Sequence, residues 1–354
     1  MEVGEKAMTN KAGCKFGTHR VLEPQGVLPQ AARRIDNSME IYDNEILIDV
    51  IALNIDSASF TQIEREAEHD VEKISAKIQE IVSERGKMQN PVTGSGGMLI
   101  GRIERIGKDL KGKIALKEGD KIATLVSLSL TPLKIDEILA IQPEIDRVEI
   151  KGKAILFESG IYAKLPDDMG ENLALAALDV AGAPAQVAKM VKPGDSVLIL
   201  GASGKSGMMC AYEAMKRVGP TGNVVCSDLR EEALDILRKN RFCHEAFASD
   251  ATKPVDVLNK ALAHNDGKEY DISINVVNVE NTEMSTILPV RDGGIVYFFS
   301  MATSFTKAAL GAEGVGKDVT MMVGNGYTKG HAEITLQELR ESEALRRIFE
   351  ELYV

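Results

Sequence analysis

Residues 196–207 read Ser-Val-Leu-Ile-Leu-Gly-Ala-Ser-Gly-Lys-Ser-Gly. The apolar run Val197 to Leu200 stops at Gly201, Gly204 and Gly207 follow at intervals of three, and a helical pattern runs from Met208 to Val218. A strand that ends in a glycine turn and opens a helix aims free backbone N–H groups and the positive end of a helix dipole at one point, which suits a phosphate. The stretch therefore predicts a parallel α/β unit built around a nucleotide.

Two nucleotide readings compete for this loop. Gly204-Lys205-Ser206 is also the end of a Walker-type phosphate loop, but that motif requires an earlier glycine where Ile199 stands in the strand. A dinucleotide loop requires an acidic residue at the end of the next strand, to bond a ribose hydroxyl. Asn223 to Ser227 reads as that strand, and Asp228 ends it about 20 residues beyond Gly207. The spacing departs from G-x-G-x-x-G, and the glycines alone also suit a tight turn with no ligand. Together with strand, helix, second strand and terminal acid they favour a dinucleotide. A carboxylate at 228 accepts from ribose hydroxyls and repels a 2′-phosphate, which favours NAD over NADP. Gly201, Ser203, Gly204, Lys205, Ser206 and Gly207 are then expected along the pyrophosphate, with Asp228 and Arg230 at the adenosine end; Arg230 alternatively faces solvent. Ligands in open α/β sheets meet the strand ends. Asn275-Val276-Val277 and Ser300-Met301-Ala302 are accordingly expected beside the adenine ribose and the nicotinamide.

Composition narrows the class. The 354 residues carry a formal net charge of −11, which gives a nucleic-acid-binding role no electrostatic support. No apolar run approaches the roughly 20 residues of a membrane span, and Met1 to Lys15 lacks the apolar core of a secretory signal. The four cysteines, Cys14, Cys210, Cys226 and Cys243, are scattered without a C-x-x-C, as in a reduced, cytoplasmic protein. Tryptophan is absent and aromatic residues make up 5%, so the core must be aliphatic.

The front of the chain reads as β-rich and the back as alternating. Strand signals occur at Gly17 to Leu22, Glu45 to Leu53, Met98 to Gly107 and Gly119 to Val126. Between them Ile63, Ala67, Val71, Ile74, Ile78 and Ile81 recur at helical spacing, predicting one long amphipathic helix over 57–88, capped by Ser57 or Ser59. From about 166 the pattern predicts a helix over 171–190, then strands at 196–200, 223–228, 243–248, 270–276, 294–300 and 319–324 with helices between them. That alternation gives a parallel sheet covered on both faces. A last helix is expected over 333–351.

A β-rich front half followed by a Rossmann half resembles the medium-chain dehydrogenase/reductase superfamily. The matching residues are Gly119-Asp120-Lys121-Ile122, Lys164-Leu165-Pro166, the alanine-rich Ala174–Ala183, and Lys192-Pro193-Gly194-Asp195-Ser196-Val197 leading into the glycine loop. The resemblance implies an α/β fold: a GroES-like β-rich catalytic domain over 1–165, to which 325–354 returns, and a doubly wound parallel-sheet cofactor domain over 166–324. It also implies a homodimer, with 281–300 as the sheet edge. Within the superfamily, Gly13 to Val21, Glu23 to Gln30, Glu40 to Val50, Leu53 to Ile63, the glycine loop and Tyr297 to Phe305 resemble the 3,5-diaminohexanoate dehydrogenase family. That resemblance implies a role in lysine fermentation: NAD-dependent oxidative deamination of a small diamino acid to 5-amino-3-oxohexanoate and ammonium.

Zinc-dependent members of the superfamily carry a cysteine in the first domain and then a G-H-E box. Gly94-Ser95-Gly96-Gly97-Met98 stands at the box and holds neither His nor Glu; Asp56 is the only candidate ligand in the preceding segment. The five histidines, His19, His69, His244, His264 and His331, do not cluster, so no catalytic metal is expected. Amine oxidation has less need of one, because hydride loss from an amine carbon gives an iminium. It does need a base to deprotonate the ammonium, a carboxylate for the second ammonium, and a cation or N–H groups for the substrate carboxylate. Candidates for the acidic roles are Asp56 and Glu64, with the hydroxyl of Ser57 alongside; Lys307 is the candidate for the carboxylate and His19 an alternative base. Each has a bland reading: a helix cap for Asp56, a solvated helix face for Glu64, a surface lysine for Lys307, a structural histidine for His19. A zinc-independent reductase of the quinone oxidoreductase type and a P-loop-like nucleotide-binding protein stay open as alternatives, as does a non-enzymatic scaffold.

Overall fold

A computed structural model describes residues 11–354 apart from Asn325; residues 1–10 of the N-terminal stretch considered above lie outside it. The chain divides into two compact units, Met1–Asp167 and Asp168–Val354.

The first unit is antiparallel. A short ribbon, β1 (Val21–Glu23) with β2 (Arg34–Ile35), precedes the main sheet. The sheet strands are β3 (Glu45–Ile55), β4 (Gly97–Ile106), β5 (Lys121–Thr124), β6 (Leu133–Gln142), β7 (Arg147–Phe157) and β8 (Tyr162–Lys164), in the order β6-β7-β3-β4-β5-β8. β3 lies between β4 and β7, and its buried Ile48, Val50 and Leu53 join Leu99, Ile103, Val148 and Ile150 in an aliphatic core.

The expected long helix is two: α1 (Ser57–Glu66) and α2 (Val71–Arg85). Glu68 and His69 turn left-handed, with φ of 56° and 61°. Asp70 then caps α2 by accepting from the N–H groups of Glu72 and Lys73. The apolar period runs through the break because Ile63, Ile74, Ile78 and Ile81 enter the same core. The hairpin β6–β7 has no counterpart among the sequence-predicted strands. Irregularities at Ile135/Glu137 and Ile138/Ala140 shift the alternation of inward and outward residues that a strand signal needs.

A buried charge cluster fixes the start of β3. Arg20 and Glu45 are almost wholly buried, and the guanidinium donates to both carboxylate oxygens at 2.7 Å. Burial raises the Glu45 carboxyl, but hydrogen bonds from Arg20, His19 and the Tyr42 N–H outweigh it and bring its pKa down to about 2.

The second unit is parallel throughout. It contains α3 (Glu171–Leu178), α4 (Gly182–Met190), β9 (Ser196–Leu200), α5 (Lys205–Val218), β10 (Asn223–Asp228), α6 (Glu231–Lys239), β11 (Glu245–Ala248) and α7 (Pro254–Ala263). It continues through β12 (Tyr270–Asn275), α8 (Glu283–Ile287), β13 (Val290–Phe298), α9 (Phe305–Val315), β14 (Thr320–Val323), α10 (His331–Glu341) and α11 (Glu343–Tyr353). The sheet order β11-β10-β9-β12-β13-β14 is doubly wound, and its direction of winding reverses between β9 and β12.

Three expectations need correction here. The open edges are β11 and β14, so 281–300, which holds α8 and β13, is not an edge. The predicted last helix breaks at Ser342, whose hydroxyl caps α11 through the Leu345 N–H. And 325–354 does not return to the first unit: α10 packs on α3, α4 and α5, and α11 on α3 and α5. Leu336, Leu339, Leu345, Ile348 and Phe349 are buried there. The same packing buries Glu338 of α10 with neither carboxylate oxygen partnered. Its neighbour Glu213 of α5 is paired with Arg217 and Lys216. Burial first, and Glu213 second, hold the Glu338 carboxyl well above the usual carboxylate range.

Candidate functional site

A cleft of about 390 Å³ opens at the carboxyl ends of β9, β10, β11 and β12, at the reversal of the sheet. Gly201, Ser203 and Gly204 form one wall, Ser227, Asp228 and Leu229 the floor, Ser249 to Thr252 the far end, and Val276 to Val279 with Thr282 the opposite side. The three loop glycines have three different reasons. Gly201 turns the chain with φ of 82°. A Cβ on Gly207 would stand 2.3 Å from Gly201 O and 2.6 Å from Ala202 Cα, so this glycine lets α5 close onto the strand end. A Cβ on Gly204 would meet nothing nearer than 3.6 Å. No protein atom among the described residues requires that glycine, which leaves space for a ligand to approach the backbone. No side chain caps α5, so its first N–H groups face outward above the same space. The residues present therefore fit a dinucleotide pyrophosphate.

Asp228 accepts from the Ser203 N–H at 3.1 Å and the Leu229 N–H at 2.8 Å, which ties the end of β10 to the glycine loop. Val276 and Val277 line the cleft. Asn275 does not: it is fully buried, donates to the hydroxyls of Thr282 and Thr286, and accepts from the Val277 N–H. Its place is under the wall, holding the 276–282 turn. Lys205 turns to Asp179 at 3.0 Å, Ser206 sits in the first turn of α5, and Arg230 is exposed at the start of α6. None of these three lines the cleft. Ser300, Met301 and Ala302 follow β13 outside it, and Met301 is 91% exposed. Sequence reading missed Ser249, Asp250, Ala251 and Thr252, which follow the third parallel strand.

The catalytic candidates are scattered. Asp56 is exposed at the end of β3 and precedes α1; its carboxylate accepts from the Gly96 N–H at 3.1 Å instead of capping the helix. Ser57 donates to Asp146. Glu64, on α1, pairs with His69 at 3.2 Å. Near Asp56, the hydroxyls of Ser59, Thr93 and Ser95 are hydrogen-bonded to one another around the glycine turn. His19 stands at the other end of β3, on the order of 30 Å away along the strand. The Cys14 N–H donates to its Nδ1, so Nε2 carries the proton and donates to Glu45 at 2.8 Å. With both nitrogens committed, His19 is a positioning group for Glu45, not a base. Lys307 is exposed on α9 of the second unit and donates to Asn281 at 2.7 Å. Among the described residues no three His, Cys, Asp or Glu side chains converge as a metal-binding group.

A family model described as the L-erythro-3,5-diaminohexanoate dehydrogenase N-terminal domain matches residues 19–166. The L-erythro-3,5-diaminohexanoate dehydrogenase of Acetoanaerobium sticklandii is 74% identical over 342 residues, covering 97% of this chain and 99% of that protein. The chain belongs to the L-erythro-3,5-diaminohexanoate dehydrogenase family. A second member, from Fusobacterium nucleatum subsp. nucleatum, is 72% identical over 344 residues, covering 97% of this chain and all of that protein. Members of this family are oxidoreductases acting on CH–NH2 groups, and the present chain is one of them.

Among solved structures the fold is similar to the CurK enoyl reductase (TM-score 0.51, 16% identity, 84% of this chain and 79% of that one). It is also similar to a mycobacterial quinone oxidoreductase (TM-score 0.50, 14% identity, 92% and 87%). The diaminohexanoate dehydrogenase family thus carries the medium-chain dehydrogenase/reductase fold, as the order of motifs predicted.

Proposed function

We propose that this chain is an NAD-dependent dehydrogenase that deaminates L-erythro-3,5-diaminohexanoate at C3, in the lysine-fermentation role the family resemblance implies. The observation that carries the reading is the cleft at the switch of the parallel sheet, with a glycine at 204 that only a ligand requires and a carboxylate at 228, in a chain whose relatives bear that activity. NAD, when bound, accepts the hydride from C3. The chain's own residues bind the dinucleotide through the loop N–H groups and Asp228, and they must move a proton off the C3 ammonium before hydride can leave. The amine nitrogen then forms the C=N bond, water adds to that carbon, and the C–N bond breaks to give 5-amino-3-oxohexanoate and ammonium. We place Asp56 first among the candidate bases, because its carboxylate accepts one backbone N–H and is otherwise open to solvent. Glu64 and His19 rank below it because each faces a protein partner; Lys307, the candidate for the substrate carboxylate, donates to Asn281.

The reading includes a cytoplasmic enzyme. No helix among the described residues is long and apolar enough to cross a membrane. It includes a homodimer in which β14, an open edge of the parallel sheet, is the strand available to a second copy. The test is NAD reduction, followed by absorbance, with 3,5-diaminohexanoate against lysine and simple alcohols. Reduction with the diamino acid alone supports the assignment; its absence removes the substrate and leaves the fold.

A further inference from the structure

The end of the cleft furthest from the glycine loop holds a second carboxylate. In the order β11-β10-β9, the glycine loop follows β9, Asp228 ends β10, and Ser249 to Thr252 follow β11. A dinucleotide with its pyrophosphate on the loop and its ribose at Asp228 carries its base onward to the end of β11. There Asp250 turns back on its own chain: the N–H and hydroxyl of Thr252 both donate to Oδ1, at 2.9 and 2.7 Å. Among the described residues Oδ2 has only the Lys253 ammonium, at 3.5 Å, too far for a good hydrogen bond. Val276, Val277 and Val279 opposite offer apolar surface to the flat faces of a purine.

Resting on the reading of the cleft as an NAD site, we propose that Asp250 selects the base, its Oδ2 accepting the exocyclic amine of adenine. A carboxylate only accepts. Adenine presents an N–H donor at its six-position, whereas hypoxanthine presents a carbonyl oxygen that would face the carboxylate with like partial charge. The hydrogen bonds from the Thr252 hydroxyl and N–H keep the Asp250 carboxyl below its usual range, so the acceptor stays ionised. The side chain thus has one oxygen fixed by its turn and the other held only by the Lys253 ammonium at 3.5 Å, and so able to turn to the base, a division that Asp250→Asn preserves in shape while turning Oδ2 into a donor.

The experiment is calorimetric titration of the full chain with NAD+ and with nicotinamide hypoxanthine dinucleotide. Unaltered protein is expected to bind NAD+ roughly tenfold or more tightly than the hypoxanthine analogue. Asp250→Asn, which keeps the Thr252 turn, is expected to reverse that order, and Asp250→Ala to abolish the preference without reversing it. The same NAD+ preference in unaltered protein and Asp250→Asn overturns the assignment while leaving the NAD site standing. Heat from neither dinucleotide overturns both the assignment and the reading it rests on.

Discussion

The three loop glycines separate what the fold needs from what a ligand needs, and single methyl groups distinguish them. In Gly207→Ala the new carbon lies 2.3 Å from Gly201 O and 2.6 and 2.7 Å from backbone carbons of Ala202, so backbone must move. Overpacking of this kind costs about 1–3 kcal/mol. For a unit of this size that corresponds to a fall in Tm of roughly 3–10 °C. In Gly204→Ala the new carbon has 3.6 Å of clearance, and φ of −76° suits alanine. Losing a glycine N-cap costs up to ~1 kcal/mol, and restricting the unfolded chain returns about 0.4–1 kcal/mol. The Tm of Gly204→Ala without ligand is therefore expected within about 3 °C of the unaltered protein. The methyl group does, however, occupy the space through which a phosphate approaches the N–H groups. NAD+ affinity should drop about tenfold, or ~1.4 kcal/mol. Thermal denaturation with and without NAD+ reads both effects, because a ligand at a hundred times its Kd stabilises by about 2.7 kcal/mol. Gly204→Ala should keep its own Tm and lose about half of the NAD-induced rise. A full NAD-induced rise in Gly204→Ala, or a ligand-free Tm as low as that of Gly207→Ala, refutes the division of roles.

Asp228→Ser should weaken NAD+ about tenfold and narrow the preference over NADP+, as titration of both dinucleotides would show; an unchanged ratio would mean that Asp228 does not read the ribose. Glu45→Ala leaves the buried Arg20 guanidinium with the Asp36 carboxylate as its one remaining ion-pair partner among the described residues and should cost about 3 kcal/mol in urea unfolding near pH 7. In the unaltered protein the folded pKa of Glu45 lies below its unfolded value. Its contribution of ~3 kcal/mol is therefore whole above about pH 4.5 and is lost as the pH falls toward 2. Urea midpoints that do not fall over that window would contradict this. Glu338 has the opposite sign: its folded pKa is raised, so stability declines as pH rises above the ordinary carboxylate value. Glu338→Leu should accordingly gain more stability near pH 8 than near pH 5, and an equal gain at both would show that the carboxyl is not the cause.

The parallel sheet was legible because each of its strands is short, apolar and followed by a helix, a pattern that survives without knowledge of neighbours. Asp228 could be found because its spacing from the glycines is set by one βαβ unit. Asp250 could not, since nothing in Ser-Asp-Ala-Thr distinguishes a cleft wall from an ordinary loop until β11 is placed beside β10. The helix breaks at Glu68–Asp70 and Ser342 were hidden by hydrophobic periods that continue across them into a shared core. The β6–β7 hairpin was hidden by its irregular register. Asn275 and His19 looked functional by type and position. What the sequence could not display is that their side-chain polar atoms are taken up by hydrogen bonds, to Cys14 and Glu45 for His19 and to Val277, Thr282 and Thr286 for Asn275.

The C-terminal helices stay with the parallel sheet, so the chain is divided only once, between residues 167 and 168. Synthesis therefore releases the whole antiparallel unit before the first parallel strand is made, and that unit can fold while the ribosome is still writing the second. The second unit has no such order: β9 emerges early, but its neighbour β12 is some 70 residues later, so the middle of the sheet closes after one flank is already built. Residues 168–354 should accordingly be expressible on their own as a dinucleotide-binding module, free of the antiparallel half.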